Sequence, residues 1–254
     1  MYSLKVAPIK NREGTTTSLL LTLRDITEEK EISESLKIAN VKLNLLSSLT
    51  RHDILNEVTV VRSAGEILRD STPDQAAVRK FGGQITEAAG SIERQFNFAQ
   101  DYQSLGVRTP EWQSAAQAFE RAAALGLASG LGIEADLDDV KLLADPLIDR
   151  VFSILLDNTR RHGERATRVR VWYERRDGSL AIVYEDDGVG VAEQDKERIF
   201  ERGFGRSGGL GLFLARQILD VNETSIRETG TFGKGARFEL VFPPGRWRIG
   251  SLAE

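Results

Sequence analysis

The feature that most constrains this chain is a periodic stretch from Thr27 to about Asp70 that contains no proline. Taking about 100° per residue around a helix, Leu36, Leu43, Ile54, Val58, Val61, Gly65 and Leu68 fall roughly 160–240° from His52. One apolar or small stripe therefore runs along the helix, with His52 on the opposite side. Asn56 lies about 40° from His52 and Asp53 about 100° away, so an amide and a carboxylate flank an exposed imidazole. Asp25 or Thr27 can cap the start, with Glu28 and Glu29 favourable in the first turn. A helix of this length with so narrow a stripe requires a coiled-coil or bundle partner. Ser71-Thr72-Pro73-Asp74 breaks it, and Pro73 suits the first turn of a second helix reaching about Leu105. That helix repeats Phe81, Ile85, Ala88 or Ala89, Ile92, Phe96 and Ala99 at spacings of three and four. The pair reads as an antiparallel hairpin over residues 27–107. Its stripe is half covered, so dimerisation into a four-helix bundle is expected.

Composition narrows the function classes. With 34 basic and 38 acidic residues in 254, the net charge of -4 points to neither nucleic acid nor an acidic membrane surface. Without cysteine there is no disulfide framework, thiol nucleophile or cysteine-held metal, and the composition fits a reducing, cytoplasmic setting. Two histidines far apart make a zinc site unexpected. No apolar run approaches the roughly 18 residues of a membrane span, and no signal peptide opens the chain, so no membrane contact is expected.

Met1 to Ile26 reads as two strands around the turn Asn11-Arg12-Glu13-Gly14. Such a lone hairpin is marginal in water and looks like the end of a larger domain or a cap on a dimer. The run Arg24-Asp25-Ile26-Thr27-Glu28-Glu29-Lys30 resembles the exit of a PAS domain into a signalling helix. That resemblance makes residues 1–26 the C-terminal remnant of a PAS-like sensor domain. Gly106 to Pro110 reads as a linker, and residues 108–254 as a separate α+β domain. There we expect a helix around Glu111–Leu127, strands near Ile133–Leu137 and Val140–Leu143, and a helix from about Pro146 to Arg161. Strands at Thr167–Glu174 and Leu180–Glu185 follow, then a short helix near Glu193–Phe200, a helix at Leu210–Leu219 and two closing strands. Hairpin-paired strands with helices on one face describe a two-layer α/β sandwich.

Four short motifs in this domain carry chemistry. Leu155-Leu156-Asp157-Asn158-Thr159-Arg160-Arg161-His162-Gly163 ends a helix, with Asn158, Arg161 and His162 on adjoining positions of one face. An amide oxygen suits Mg²⁺, and Arg161 and His162 suit phosphate. Asp186-Asp187-Gly188-Val189-Gly190 follows a strand. A buried carboxylate there is able to accept from an exocyclic amine, while Gly188 and Gly190 allow the backbone close to a flat ring. Ser207-Gly208-Gly209-Leu210-Gly211-Leu212 opens a helix whose N-terminus can hold phosphate. Gly233-Lys234-Gly235-Ala236-Arg237-Phe238 precedes a closing strand. Between Phe200 and Gly209 lies a short glycine-rich lid, with Phe204 its one large apolar residue, Arg202 and Arg206 the cations able to reach the phosphates, and Arg206 the one expected at the β- or γ-phosphate.

In this order the four motifs resemble the N, G1, G2 and G3 boxes of the ATP-binding domain shared by sensor histidine kinases, Hsp90, type II topoisomerases and MutL. Phe200 fits the kinase F box, and the resemblance covers roughly Pro110 to Pro244. It implies that ATP is held by Asn158, Arg161, His162, Asp186, Gly188, Gly190, Arg206, Gly209, Leu210 and Gly211, with Mg²⁺ at Asn158 and adenine selected by Asp186. In sensor histidine kinases the ATP domain follows a dimerising hairpin whose phospho-accepting histidine precedes an acidic residue and, four positions on, an Asn or Thr. Here those are His52, Asp53 and Asn56. The implied protein is a homodimeric, autophosphorylating kinase that passes its phosphoryl group to a response-regulator receiver domain and also dephosphorylates it. A catalytically inactive, ATP-gated dimeric scaffold of the same fold is the alternative. The chain departs from the family at Ile154 for a common Asn, Thr159 for a common Ala, Ala236 for a common Thr, and Glu57 for the usual proline.

Overall fold

The computed structural model describes residues 2–10, 16–25, 54–69, 74–205 and 209–250, so His52, Asp53 and Arg206 lie outside the described residues. The chain divides into two units, Met1–Asp53 and Ile54–Glu254. In the first, β1 (Tyr2–Lys10) and β2 (Thr16–Asp25) pair antiparallel from Tyr2↔Asp25 to Lys10↔Thr16, giving the two strands expected there.

The second unit begins with α1 (54–69) and α2 (Gln75–Ser104). The Asp74 carboxylate accepts from the Ala77 N–H at 2.7 Å and so caps α2, satisfying one of the donors a helix start leaves open. No described helix is long and apolar enough to cross a membrane.

A five-stranded sheet follows in the order β4 (Gly132–Asp136), β6 (Arg168–Arg176), β7 (Ser179–Asp186), β9 (Arg237–Phe242) and β8 (Ser225–Glu228). β4 runs parallel to β6, and the other neighbours are antiparallel. A smaller sheet has β5 (Val140–Ala144) between β3 (Glu111–Ser114) and β10 (Trp247–Ile249). Helices α3 (Ala115–Ala122), α4 (Ile148–His162) and α5 (Gly211–Val221) supply the other layer. The α+β sandwich is therefore as the pattern implied.

Two expectations fail locally. Glu111–Ser114 is a strand rather than the first turn of a helix, because it finds a partner in β5 and Ser114 then caps α3 by accepting from Gln117 N–H. Three strands close the chain rather than two, since the turn at Pro243–Gly245 returns Trp247–Ile249 to β5.

The core forms where α4 lies against the sheet. Ile148, Val151, Phe152, Leu155 and Leu156 of α4 are fully buried, as are Leu180, Ile182 and Tyr184 of β7. Those β7 residues are spaced by two and share a face, whereas Ala181 and Val183 point to the other. There they are covered by long side chains: Arg176 pairs with Glu239 and Glu174, and Arg237 stacks on Trp172 at 5.3 Å. Aliphatic stems and aromatic rings thus dry this face, with the buried Glu239 carboxylate paired to the more exposed Arg176.

α2 is fixed to this domain by three contacts of different kinds. Phe98 stacks on Tyr102 at 5.5 Å, and both lie 6.4 Å from Phe213 at the start of α5. Asp101 accepts from Arg150 Nε at 2.5 Å. Gly106, in a left-handed conformation (φ 69°) after the helix, donates its N–H to the buried Asp145. Asp145 is anchored in turn through its own N–H to Asn222. Aromatic burial supplies most of the attraction here, while the polar contacts fix the register of α2 along its axis.

Candidate functional site

A cavity of about 440 Å³ lies between α4, the end of β7, the start of α5 and the flank of α2. The sequence-selected residues Asn158, Arg161, His162, Asp186, Gly190, Gly209, Leu210 and Gly211 all line it. Four short motifs distant in the chain thus converge because the C-terminus of α4, the end of β7 and the N-terminus of α5 all border the cavity.

Asp186 is the most tightly defined group. Only 6% exposed, it accepts through Oδ1 from the Gly188 and Ala236 N–H groups, both at 3.0 Å. Through Oδ2 it accepts from Thr159 Oγ1 at 2.7 Å. A carboxylate has about four acceptor sites. Three are filled, and the open one is on Oδ2. Thr159 has a single hydroxyl proton, so if that goes to Asp186 the Tyr184 hydroxyl, 2.9 Å from Thr159 Oγ1, must donate to Thr159. Burial first, and then the Asp186 charge, push the Tyr184 phenol far above its usual range, outweighing the Thr159 hydrogen bond. The proton that this chain of bonds needs is therefore held at all working pH values. Thr159 is a departure from the family pattern that adds a third donor to Asp186.

Asp187 does a different job. Its carboxylate accepts from Thr167 N–H and Oγ1, both at 2.7 Å, and from Arg168 N–H at 2.9 Å. Burial opposes its ionisation, but the bonds from Thr167 and the neighbouring backbone outweigh that and hold it at about 2. It ties the strand end to the loop that follows α4. Gly188 serves the same junction and does not line the cavity: a Cβ there would lie 2.7 Å from Gly163 O and 3.0 Å from Asp186 Oδ1. Gly235 is tighter still, since any side chain would strike Asp186 O. These glycines let three backbone segments close around Asp186, a use distinct from the approach to a ring that their spacing suggested.

At the helix end, Asp157 pairs with Arg161 Nε at 2.8 Å and Arg160 at 3.2 Å. This orients the Arg161 fork, while its partial exposure keeps the pairing weak. Asn158 Nδ2 is buried and makes no hydrogen bond among the described residues. A buried N–H donor left open at a cavity wall awaits an acceptor such as a phosphate oxygen, whereas a cation would need the amide oxygen. No cluster of three or more histidine or acidic side chains able to hold a metal ion occurs among the described residues. Ile154 stands where the family often has an Asn and instead packs against α5, 3.3 Å from where a Gly211 Cβ would be.

Phe204 also lines the cavity, with the Arg198 guanidinium 4.8 Å from its ring centre. Phe200 is 2% exposed, edge-on to Phe238 at 6.3 Å and beneath Arg216 at 4.3 Å, so it is anchored in the core. Sequence reasoning missed Tyr184 and the α2 wall, Arg94 and Gln95 in particular. Tyr184 reads as an ordinary strand aromatic, and nothing local in α2 shows that it reaches a cavity built from residues 150–238.

Residues 144–246 match the histidine kinase-, DNA gyrase B- and HSP90-like ATPase family, which sets the class of the site as ATP-binding. Across the longer span, the alginate biosynthesis sensor protein KinB of Pseudomonas aeruginosa is 27% identical over 256 residues, covering 93% of this chain and 42% of its own length. Residues 144–246 therefore carry the ATPase domain of that family, and the chain over most of its length is similar to a sensor histidine kinase. It spans less than half the length of that relative. Two solved structures share the fold. The histidine kinase ThkA, solved in complex with the response regulator TrrA, has a TM-score of 0.60 at 18% identity, covering 96% of this chain and 75% of that one. The Acinetobacter baumannii histidine kinase AdeS has a TM-score of 0.55 at 18% identity, covering 76% and 98%.

Two measurements test this geometry. Thr159→Val should cost about 1–3 kcal/mol in urea unfolding, because it strands the buried Tyr184 hydroxyl, and adding Tyr184→Phe should recover part of the loss. Asp187 has a folded pKa below its unfolded value of about 3.9, so its contribution is complete above that pH and fades as pH falls through about 2. Asp187→Asn should therefore be less stable at neutral pH and show a shallower loss of stability between pH 4 and 2 than the wild type.

Proposed function

We propose that this chain is the kinase core of a dimeric sensor protein: ATP bound in the cavity phosphorylates His52, and the phosphoryl group passes to an aspartate of a response regulator. The observation that carries the reading is the pairing, in one cavity, of a buried carboxylate with an open acceptor site and a second group of amide, guanidinium and imidazole. Adenine presents an exocyclic amine to the first, and the phosphates present negative charge to the second. Arg206, outside the described residues, is assigned to the β- or γ-phosphate. Asn158 would hold Mg²⁺ through its amide oxygen, and the ion would neutralise charge on the phosphates.

His52 in its neutral form attacks the γ-phosphorus in line. A nitrogen–phosphorus bond forms as the bond to the bridging oxygen breaks, ADP leaves, and the N–H proton of the other ring nitrogen passes to the Asp53 carboxylate. Asp53 holds the other ring nitrogen, fixing the tautomer and raising the basicity of the attacking one. Asn56, exposed on α1, has an amide suited to orienting water for hydrolysis of the regulator's phospho-aspartate. Homodimerisation is supported by the apolar side chains that the hairpin leaves exposed, Leu55 at 57%, Val58 at 45% and Phe96 at 68%. The regulator as partner is supported by the ThkA complex with TrrA. The same reading makes residues 1–26 the end of a PAS-like sensor and puts the kinase core in the cytoplasm, the compartment that holds ATP.

Incubation with γ-labelled ATP and Mg²⁺ tests the proposal. The wild type should acquire an acid-labile, alkali-stable label, as a phosphoramidate would, and His52→Gln should acquire none while binding ATP normally. Label at wild-type level on His52→Gln would remove His52 from the mechanism. ATP binding without any label would leave a nucleotide-gated scaffold.

A further inference from the structure

We propose that Arg94, on the second hairpin helix, is part of the binding site for the nucleotide's phosphates, so that the hairpin itself completes the ATP pocket; this rests on the reading of the cavity as an ATP site. Arg94 lines the cavity beside Asn158, Arg161 and His162. Among the described residues its buried Nε has no hydrogen-bond partner, and neither has the buried Oε1 of the neighbouring Gln95. The guanidinium lies back over Gly90, where a Cβ would sit 3.2 Å from Nη1.

The ordinary account of a half-buried arginine is a carboxylate partner, and none closes here. Asp157, Glu57 and Glu87 attract Arg94 through space, yet none forms an ion pair with it among the described residues. Asp157 is the one of these on the cavity wall, and it is already shared by Arg160 and Arg161. Burial first, and then repulsion from Arg161, bring the Arg94 pKa below its usual value, so the cation is held at a cost. Its position does not depend on finding a partner. The Phe98–Tyr102–Phe213 cluster and the Asp101–Arg150 pair dock α2 one and two turns further on, and that docking carries Arg94 into the cavity. A polyphosphate relieves both the missing hydrogen bond and the repulsion, because one anionic group is able to accept from two guanidinium forks. Adenosine, which lacks phosphate, relieves neither.

The test is calorimetric titration of the full chain with ATP and with adenosine, for the wild type, Arg94→Ala, Arg94→Lys and Arg79→Ala. Arg79 is an exposed cation on the same helix and controls for the loss of one charge. Arg94→Ala should bind ATP about tenfold more weakly and adenosine unchanged. Arg94→Lys should recover part of the loss, and Arg79→Ala should match the wild type. Unchanged ATP affinity for Arg94→Ala would overturn the proposal. So would an equal loss for ATP and adenosine, which would mean that Arg94 shapes the pocket without meeting phosphate. Wild-type protein that binds neither ligand would instead overturn the ATP reading itself.

Discussion

Three donors from separate parts of the chain converge on the buried carboxylate of Asp186: Thr159 of α4, Gly188 after β7 and Ala236 before β9. A carboxylate at that depth is tolerable only with its charge shared among such donors, and the sharing fixes its orientation to a fraction of an ångström. The cost falls on the surrounding backbone. Gly163 and Gly188 must pack without side chains, and Gly235 must pass directly over the Asp186 carbonyl. The glycine pattern of the chain is therefore tied to one acid, and the cavity follows from it. Tyr184 and Thr159 then set the direction of the last hydroxyl proton, leaving one acceptor site open.

The second determinant is the docking of α2. Ring stacking on Phe213 and the Asp101–Arg150 pair place a hairpin helix along the cavity wall. Nucleotide site and hairpin consequently share side chains, so that anything which shifts α2 along its axis must also change the cavity.

Much of this was legible in the sequence. Residues of four glycine-marked motifs in fixed order line one cavity, and helix α4 and strands β6 and β7 follow from periodicity. β3 was not, because Glu-Trp-Gln-Ser is too short to show alternation and the alanine run behind it suggests helix. The role of Thr159 was hidden for another reason: it depends on Tyr184, a residue 25 positions away whose hydroxyl only burial brings into play. Gly188 misled in an instructive way, since the spacing that suggests a ring-binding turn serves instead to let Gly163 pass. Arg94 carries no local signal at all. Its significance comes entirely from a tertiary contact made by its helix neighbours.

The central claim is that the open acceptor site on Asp186 Oδ2 receives the exocyclic amine of adenine. Inosine triphosphate differs from ATP there by presenting a carbonyl oxygen in place of the amine. Competitive titration of the wild type with the two nucleotides tests this most directly. The account predicts ATP bound at least about tenfold more tightly, because a carbonyl facing a buried carboxylate leaves two acceptors opposed with no proton between them. Equal affinities would contradict it.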